Sequence, residues 1–246
     1  MRLFSFFILQ LICILPGLSQ KPKLYVFMPS EMRPHAMRAL LEKECPNLEI
    51  KVFPRYREFR DSMATAPPDA ILSLEPVIEK TLKLRNQDMG TKDTSKIFLK
   101  GVRDAVFDEP YVFLSDKEVG SKKYKDMTIG VVDLLGRREM GALLGGNLDT
   151  EDTLHLKTVT KLEDLLWLIQ FQYVDAIFVP EAKVEYYGIK SKIELIKTPL
   201  PKARIGLAIV AVLNSASEKN DVLLKSFEDM SSFSKEKLGV QSWTQQ

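Results

Sequence analysis

Apolar and polar positions change rhythm repeatedly along this chain, and each change marks an expected element. Leu24 to Met28 is a short run of β-prone apolar residues that Pro29-Ser30 closes. From Met32 to Glu44 the spacing turns helical, with Met37, Leu40 and Leu41 on one face. Pro46-Asn47 stops that helix, and Leu48 to Phe53 alternates as a half-buried strand does. Arg55 to Ala64 predicts a second helix ended by Pro67-Pro68, and Asp69 to Leu74 a nearly continuous apolar strand. Glu75-Pro76 opens a third helix, because proline suits a first helical turn. Arg85 to Ser95 has little periodicity and is expected to be a loop, after which Ile97 to Val106 and Pro110 to Leu114 return to strand character.

The same grammar then restarts. Met127 to Leu134 predicts a strand, Gly136 to Leu144 a helix, and Leu154 to Val159 another strand. Leu162 to Phe171 predicts a helix burying Leu162, Leu165, Leu166 and Ile169, with Trp167 read as core. Val174 to Val179 is a further strand, followed by a helical stretch through Tyr187 and a strand at Ile193 to Ile196. Pro199 and Pro201 bracket what reads as a stiff connector. Ile205 to Leu213 is apolar on both faces, so it belongs inside a sheet rather than at an edge. Asp221 to Phe233 predicts the last helix, striped by Val222, Leu223, Phe227 and Met230. Strands alternating with helices pair in parallel through right-handed crossovers. The economical topology is α/β with two lobes, each a mixed sheet flanked by helices, the second inserted into the first. Residues 20–114 and 201–246 are assigned to lobe one and residues 115–200 to lobe two, joined by a hinge of two crossings beside a cleft. The test is whether residues 205–213 join the sheet of residues 24–28 or that of residues 127–134.

The amino terminus changes the picture of where such a molecule works. Arg2 precedes an apolar run from Leu3 to Leu15; Pro16-Gly17 breaks it, and Gly17-Leu18-Ser19 offers small residues for cleavage. The run is shorter than the ~20 residues a membrane-spanning helix needs. Cys13 suggests a lipoprotein, but Ile12 stands where a small residue should precede the modified cysteine. The expectation is therefore a signal peptide over residues 1–19, cleaved near Ser19, and a periplasmic or secreted protein. Cleavage leaves Cys45 as the single cysteine, so no internal disulfide can form and stability must come from core burial. Apolar content of 45% supplies that core. A net charge of +2 with dispersed basic residues excludes a nucleic-acid surface.

Four segments carry a resemblance. Phe107-Asp108-Glu109-Pro110-Tyr111 is similar to the Phe-Ser-Asp-Pro-Tyr signature that enters the first hinge strand of the type II periplasmic solute-binding proteins, the ligand-capturing subunits of ABC importers. Asp69-Ala70-Ile71 resembles that family's first-lobe Asp-Ala strand, and Tyr124 to Val131 the start of its second lobe. Leu162 to Phe178, with Val174-Asp175-Ala176-Ile177, resembles its helix followed by an Asp-Ala-Val-Val strand. The polar-amino-acid and phosphonate-type binders are the nearest branches. The resemblance implies capture of a small solute between lobes and delivery to a membrane permease. The amino-acid clamp does not carry over: Val102 stands where the clamping Arg belongs, with Arg103 next to it, and Pro180 stands at the Asp position, followed by Glu181. An insertion at about residues 75–96 separates segments that are adjacent in that branch.

Candidate ligand groups follow from strand ends, because open α/β sheets bind ligands beyond their carboxyl ends, near helix N-termini. Ser30 and Arg33 follow the first strand; Gly136 and Arg137 hold the corresponding place in the second lobe. An anion bridging Arg33 and Arg137 would draw the lobes together. Ser73 and Glu75 end the third strand, Arg103 stands one residue after the clamp position, and Glu181 follows the strand of residues 174–179. Tyr25, Tyr56, Tyr111 and Tyr173 are able to stack on a planar ligand but equally to fill a core. Histidines His35 and His155 have no partner at metal-ligand spacing, and neither a Gly-x-Ser-x-Gly elbow nor a Walker motif is present. Cys45, before Pro46, has no basic neighbour in sequence to activate it and reads as a half-buried helix end. The expected function is that of a monomeric solute-binding protein for a small polar, anionic ligand, with a permease or receptor as partner, no cofactor and no metal. A sensory module without transport, and a lyase or dehydratase using Glu75 or Glu181, are the alternatives.

Overall fold

The computed structural model describes residues 21–89, 96–119, 123–213 and 217–245. The expected signal peptide, residues 1–19, lies outside them. The first half of the chain gives β1 (Lys23–Phe27), α1 (Pro34–Glu44), β2 (Glu49–Val52), α2 (Tyr56–Thr65), β3 (Ala70–Leu74), α3 (Glu75–Met89) and β4 (Lys96–Val102). The middle gives β5 (Asp108–Ser115), β6 (Thr128–Val132), α4 (Arg137–Leu148), β7 (His155–Val159), α5 (Leu162–Gln170), β8 (Ala176–Pro180), α6 (Val184–Lys190) and β9 (Ile196–Gly206). The chain closes with β10 (Ala208–Val212), α7 (Ser217–Glu228), α8 (Ser232–Lys237) and β11 (Ser242–Gln245).

These strands form two mixed sheets, in the orders β11-β4-β10-β3-β1-β2 and β7-β6-β8-β5-β9. β1 runs parallel to both β2 and β3, and β6 runs parallel to both β7 and β8. β10 returns to the first sheet, antiparallel to β3, with Val210 opposite Leu72. The second sheet is thus built from one continuous stretch inserted into the first, as the apolar run at residues 205–213 predicts.

Several local expectations are corrected. The aperiodic stretch from Arg85 is helical through Met89, because α3 continues; residues 90–95 of the expected loop lie outside the described set. The Pro199–Pro201 connector is part of β9, an edge strand where a missing N–H costs no ladder bond. The apolar run 205–213 is two strands, split at Leu207 where the chain leaves one sheet for the other. By sheet membership residues 108–114 and 201–206, assigned above to lobe one, pair in the second sheet, so the crossings are at residues 103–107 and 207. Trp167 is 53% exposed. At 3.6 residues per turn it lies about 140° around α5 from Leu162, away from the buried Leu162–Leu165–Ile169 stripe.

Period-two alternation divides the cores. In β1, Tyr25 and Phe27 enter a cluster that continues through α2, α3 and α4 into the inner face of the second sheet. Leu24 and Val26 face the opposite way, onto α1 and α7, while Val112 and Leu114 of β5 pack with α5 and α6. Cys45 is fully buried at the end of α1, where burial pushes its thiol up to about 12, so it is no reactive thiolate near neutrality.

The two crossings run side by side: the Leu207 N–H donates to the Phe107 carbonyl at 2.8 Å. Residue 206 has to be glycine, since a Cβ there would stand 2.0 Å from Glu75 Oε2 and 2.5 Å from Glu75 Cβ. Among the described residues no helix is long and apolar enough to cross a membrane.

Candidate functional site

A cavity of about 400 Å3 opens between the two sheets, at the carboxyl ends of β1, β3, β6 and β8. Sheet one contributes the segment Met28–Met32 and Leu74; sheet two contributes Glu109 and Tyr111 of β5, Val131 of β6 and Phe178 of β8. Alternation decides which side chains arrive. Glu109 and Tyr111 share one face of β5, while Val112 turns to the outer core. Leu134, Met140, Ile205 and Leu207 extend the apolar wall, and Leu238-Gly239 after α8 borders it.

The polar groups come mostly as opposed pairs. Arg103 and Glu109, on either arm of the first crossing, form a partly buried ion pair. Between them the chain reverses through Asp104 and Ala105, both left-handed at φ 52° and 63°, with Arg103 and Val106 exchanging two backbone hydrogen bonds of 3.0 Å. The Asp104 N–H donates to Gln241 Oε1 and Gln241 Nε2 donates back to Asp104 Oδ1, each at 2.9 Å, tying this turn to the C-terminal segment. At the mouth, Lys183 Nζ reaches from the turn after β8 to Glu31 Oε1 at 2.7 Å. Ser30 Oγ accepts the Met32 N–H at 3.0 Å, which holds the segment after β1 open as a turn.

Tyr111 stands apart. Its ring stacks on Phe178 with centroids 4.6 Å apart, and the residue is only 7% exposed. Burial, with the Glu109 charge adding to it, holds its hydroxyl well above the usual phenol range, so it remains protonated.

No family model and no curated protein matches the chain by sequence. Solved structures match by shape. A binding-protein component of an ABC phosphonate transporter from Pseudomonas aeruginosa aligns with a TM-score of 0.62 at 11% identity, over 92% of this chain and 82% of that one. A protein from Archaeoglobus fulgidus aligns at 0.58 and 13% identity, over 89% of this chain and 78% of that one. The substrate-binding protein of an amino acid ABC transporter aligns at 0.54 and 16% identity, over 88% of this chain and 96% of that one. The fold is that of the type II periplasmic binding proteins.

In this type II fold each sheet is the centre of a lobe, and the residues singled out from sequence distribute unevenly about the gap. Ser30 and Arg103 line the cavity. Arg33 caps α1 in an exposed position and does not line it. Ser73 is fully buried and donates to the Phe27 carbonyl, fastening β3 to β1. Glu75 pairs with Lys100 at 2.7 Å and Glu181 with Lys197, both outside the lining. Gly136, at φ 81°, gives its N–H to Asp133 Oδ1 at 2.6 Å, and Arg137 reaches the Leu156 carbonyl at 3.3 Å. No group of three or more His, Cys, Asp or Glu converges on a metal-sized site among the described residues. Glu31, Glu109, Lys183 and Phe178 were not singled out from sequence. Glu109 was within reach, since alternation through the Phe107–Tyr111 motif puts it on the face of Tyr111.

Proposed function

We propose that this chain is an exported solute-binding protein that captures a small ligand between its lobes and presents the closed form to the permease of an ABC-type importer. The observation that carries this reading is a cavity of about 400 Å3, of ligand size, walled by both lobes at the carboxyl ends of their strands. The Glu31–Lys183 pair supports it, since it links the lobes at the mouth and is made only when they approach. The signal-peptide pattern of residues 1–19 and the likeness to transporter binding proteins favour export and a membrane partner. The dehydratase alternative loses its support: Glu75 and Glu181 are each paired with a lysine and stand away from the cavity.

The test is a thermal-shift screen of the mature chain against a small-metabolite panel, with calorimetry and solution scattering on every hit. One ligand per chain and a smaller radius of gyration are expected. A panel with neither a thermal shift nor compaction would overturn the proposal.

A further inference from the structure

We propose that the end of lobe two remote from the cleft carries a second binding site, an exposed aromatic platform with a polar recess beside it, and that its occupant is a neutral saccharide. The site goes beyond capture of a ligand in the cleft and does not depend on it.

The platform is made by the end of α5. Trp167 and Phe171, four residues apart on that helix, stack with ring centroids 5.5 Å apart and planes within 9°. Tyr173 continues the row, its ring centroid 6.2 Å from that of Phe171. All three side chains are more than half exposed, although large aromatic residues gain most from burial. Adjoining exposed aromatics mark an interaction surface, whereas single exposed apolar residues do not.

The backbone holds them there at a cost. The Gln172 N–H donates to the Ile169 carbonyl at 3.0 Å and the Tyr173 N–H to the Leu168 carbonyl at 2.8 Å, the paired bonds that close a helix through one left-handed residue. That residue is Gln172, at φ 55°, where glycine would sit without strain. The residue after such a turn commonly packs back onto the helix, but Tyr173 stays exposed, with Lys157 Nζ 4.6 Å from its ring centre.

The recess selects the occupant. Tyr173 also lines a hollow of about 360 Å3 at the amino ends of β6 and β8, whose polar groups are Asp116, Lys117, Glu118, Thr128, Gln172 and Asp175. Three carboxylates stand there against one lysine, itself 3.9 Å from Asp116, so an anion is repelled. A cation is drawn to the carboxylates but finds the Tyr173 ring already facing the Lys157 ammonium. A wholly apolar molecule would strip water from the carboxylates and return no hydrogen bond. A sugar ring suits both halves at once: its C–H faces leave water against the aromatic rings, and its hydroxyls donate to the carboxylates and to the Gln172 amide oxygen.

The experiment uses the two tryptophans of the chain, Trp167 and Trp243, the latter packed on Phe227. Trp243→Phe leaves Trp167 as the single fluorescent reporter, and is titrated with cellohexaose, maltohexaose and chitohexaose; calorimetry on the unaltered mature chain repeats the series. A saturable fluorescence change with at least one of the three is expected, and Trp167→Ala should weaken that binding about three- to tenfold in calorimetry, the loss of one aromatic contact. Gln172→Gly should raise the melting temperature of the free protein and also weaken the saccharide, a loss that a purely structural residue would not show. Glu31→Gln, at the mouth of the cleft, should leave saccharide binding unchanged. The proposal is overturned if none of the three oligosaccharides binds, if binding survives Trp167→Ala or Gln172→Gly undiminished, or if Glu31→Gln abolishes it, which would put the sugar in the cleft. Tighter binding of choline, or co-sedimentation with phosphatidylcholine vesicles in place of saccharide binding, overturns it in favour of a cation or a membrane surface. None of these results bears on the cleft, which the metabolite panel tests separately.

Discussion

Two corners of the molecule occupy the same place in their respective sheets. β1 and β6 are each flanked by two parallel neighbours, and each runs into a helix, through residues 28–33 in one lobe and residues 133–136 in the other. The first corner is polar and open: Pro29, Ser30 and Glu31 are half-buried or exposed, and Ser30 keeps the turn wide. The second is packed shut. Leu134 and Leu135 are buried in the shared core, Asp133 takes the Gly136 N–H, and Gly136 rests against the ring of Tyr56 from the other lobe. Its free backbone donors, the feature that makes a strand-to-helix corner attract anions, are thereby partly used up. Equivalent topology does not make equivalent chemistry; the residues at the corner decide whether it faces a ligand or fills a core.

Breaking the second corner should cost far more than breaking the first. Leu135→Ala removes a buried side chain from the core shared by both lobes and should destabilise by about 2–4 kcal/mol in urea unfolding. Met32→Ala, only half-buried at the first corner, is expected below about 1 kcal/mol in the same assay. Equal losses would show that the two corners carry the same load.

The next effect is on the backbone. Gly136 sits at φ 81° and ψ 152°, a region that only glycine adopts without strain. Gly136→Ala should cost about 1–3 kcal/mol even though the nearest atoms to a new Cβ, in the Tyr56 ring, are an unstrained 3.9 Å away. Asp133→Ala should follow at about 1–2 kcal/mol, since it leaves the Gly136 N–H without the carboxylate it now meets at 2.6 Å. Both are read from unfolding midpoints at constant m-value; a loss in Asp133→Ala larger than in Gly136→Ala would mean that the hydrogen bond, not the backbone conformation, fixes this corner.

The fold was legible because it is written in periodicity. The apolar runs at residues 24–28 and 69–74, the alternation at 48–53, the helical spacing at 32–44 and the doubly apolar run at 205–213 together point to an inserted second sheet. The crossings were misplaced because β5 and β9 look alike from either lobe: an apolar strand beside a hinge declares its burial, not its partner. The site was harder to read. Arg33 and Arg137 follow from the rule that helix starts attract anions, yet the cavity is lined instead by Glu236 and Lys237 and by two ion pairs, Arg103 with Glu109 and Lys183 with Glu31. The latter joins residues 152 apart in sequence, and no local pattern encodes it. The exposure of Trp167 is legible, since the same helical spacing that locates α5 sets it opposite the buried stripe.

The smallest expected effects concern two ion pairs that cross between lobes among the described residues, one at each corner. Glu31–Lys183 spans 2.7 Å with side chains 37% and 39% exposed, and Lys80–Glu139, between α3 and α4, spans 3.0 Å at 25% and 38%. Partly exposed pairs of this kind contribute about 0–1 kcal/mol, because solvent screens the attraction and both long side chains lose freedom. Double-mutant cycles with Glu31→Gln and Lys183→Met, and with Glu139→Gln and Lys80→Met, should return couplings in that range that shrink as salt is raised. The two differ in what else they move. At the second corner the lobes are already joined by apolar packing of Tyr56, Leu134 and Leu135, so losing Lys80–Glu139 should leave the solution radius of gyration unchanged. At the first corner the pair closes the mouth of the cavity, so losing Glu31–Lys183 should shift the population toward a more open form and raise the dissociation rate of any bound ligand. A change in the scattering profile on breaking Lys80–Glu139 alone would reverse that assignment and make the packed corner the one that moves.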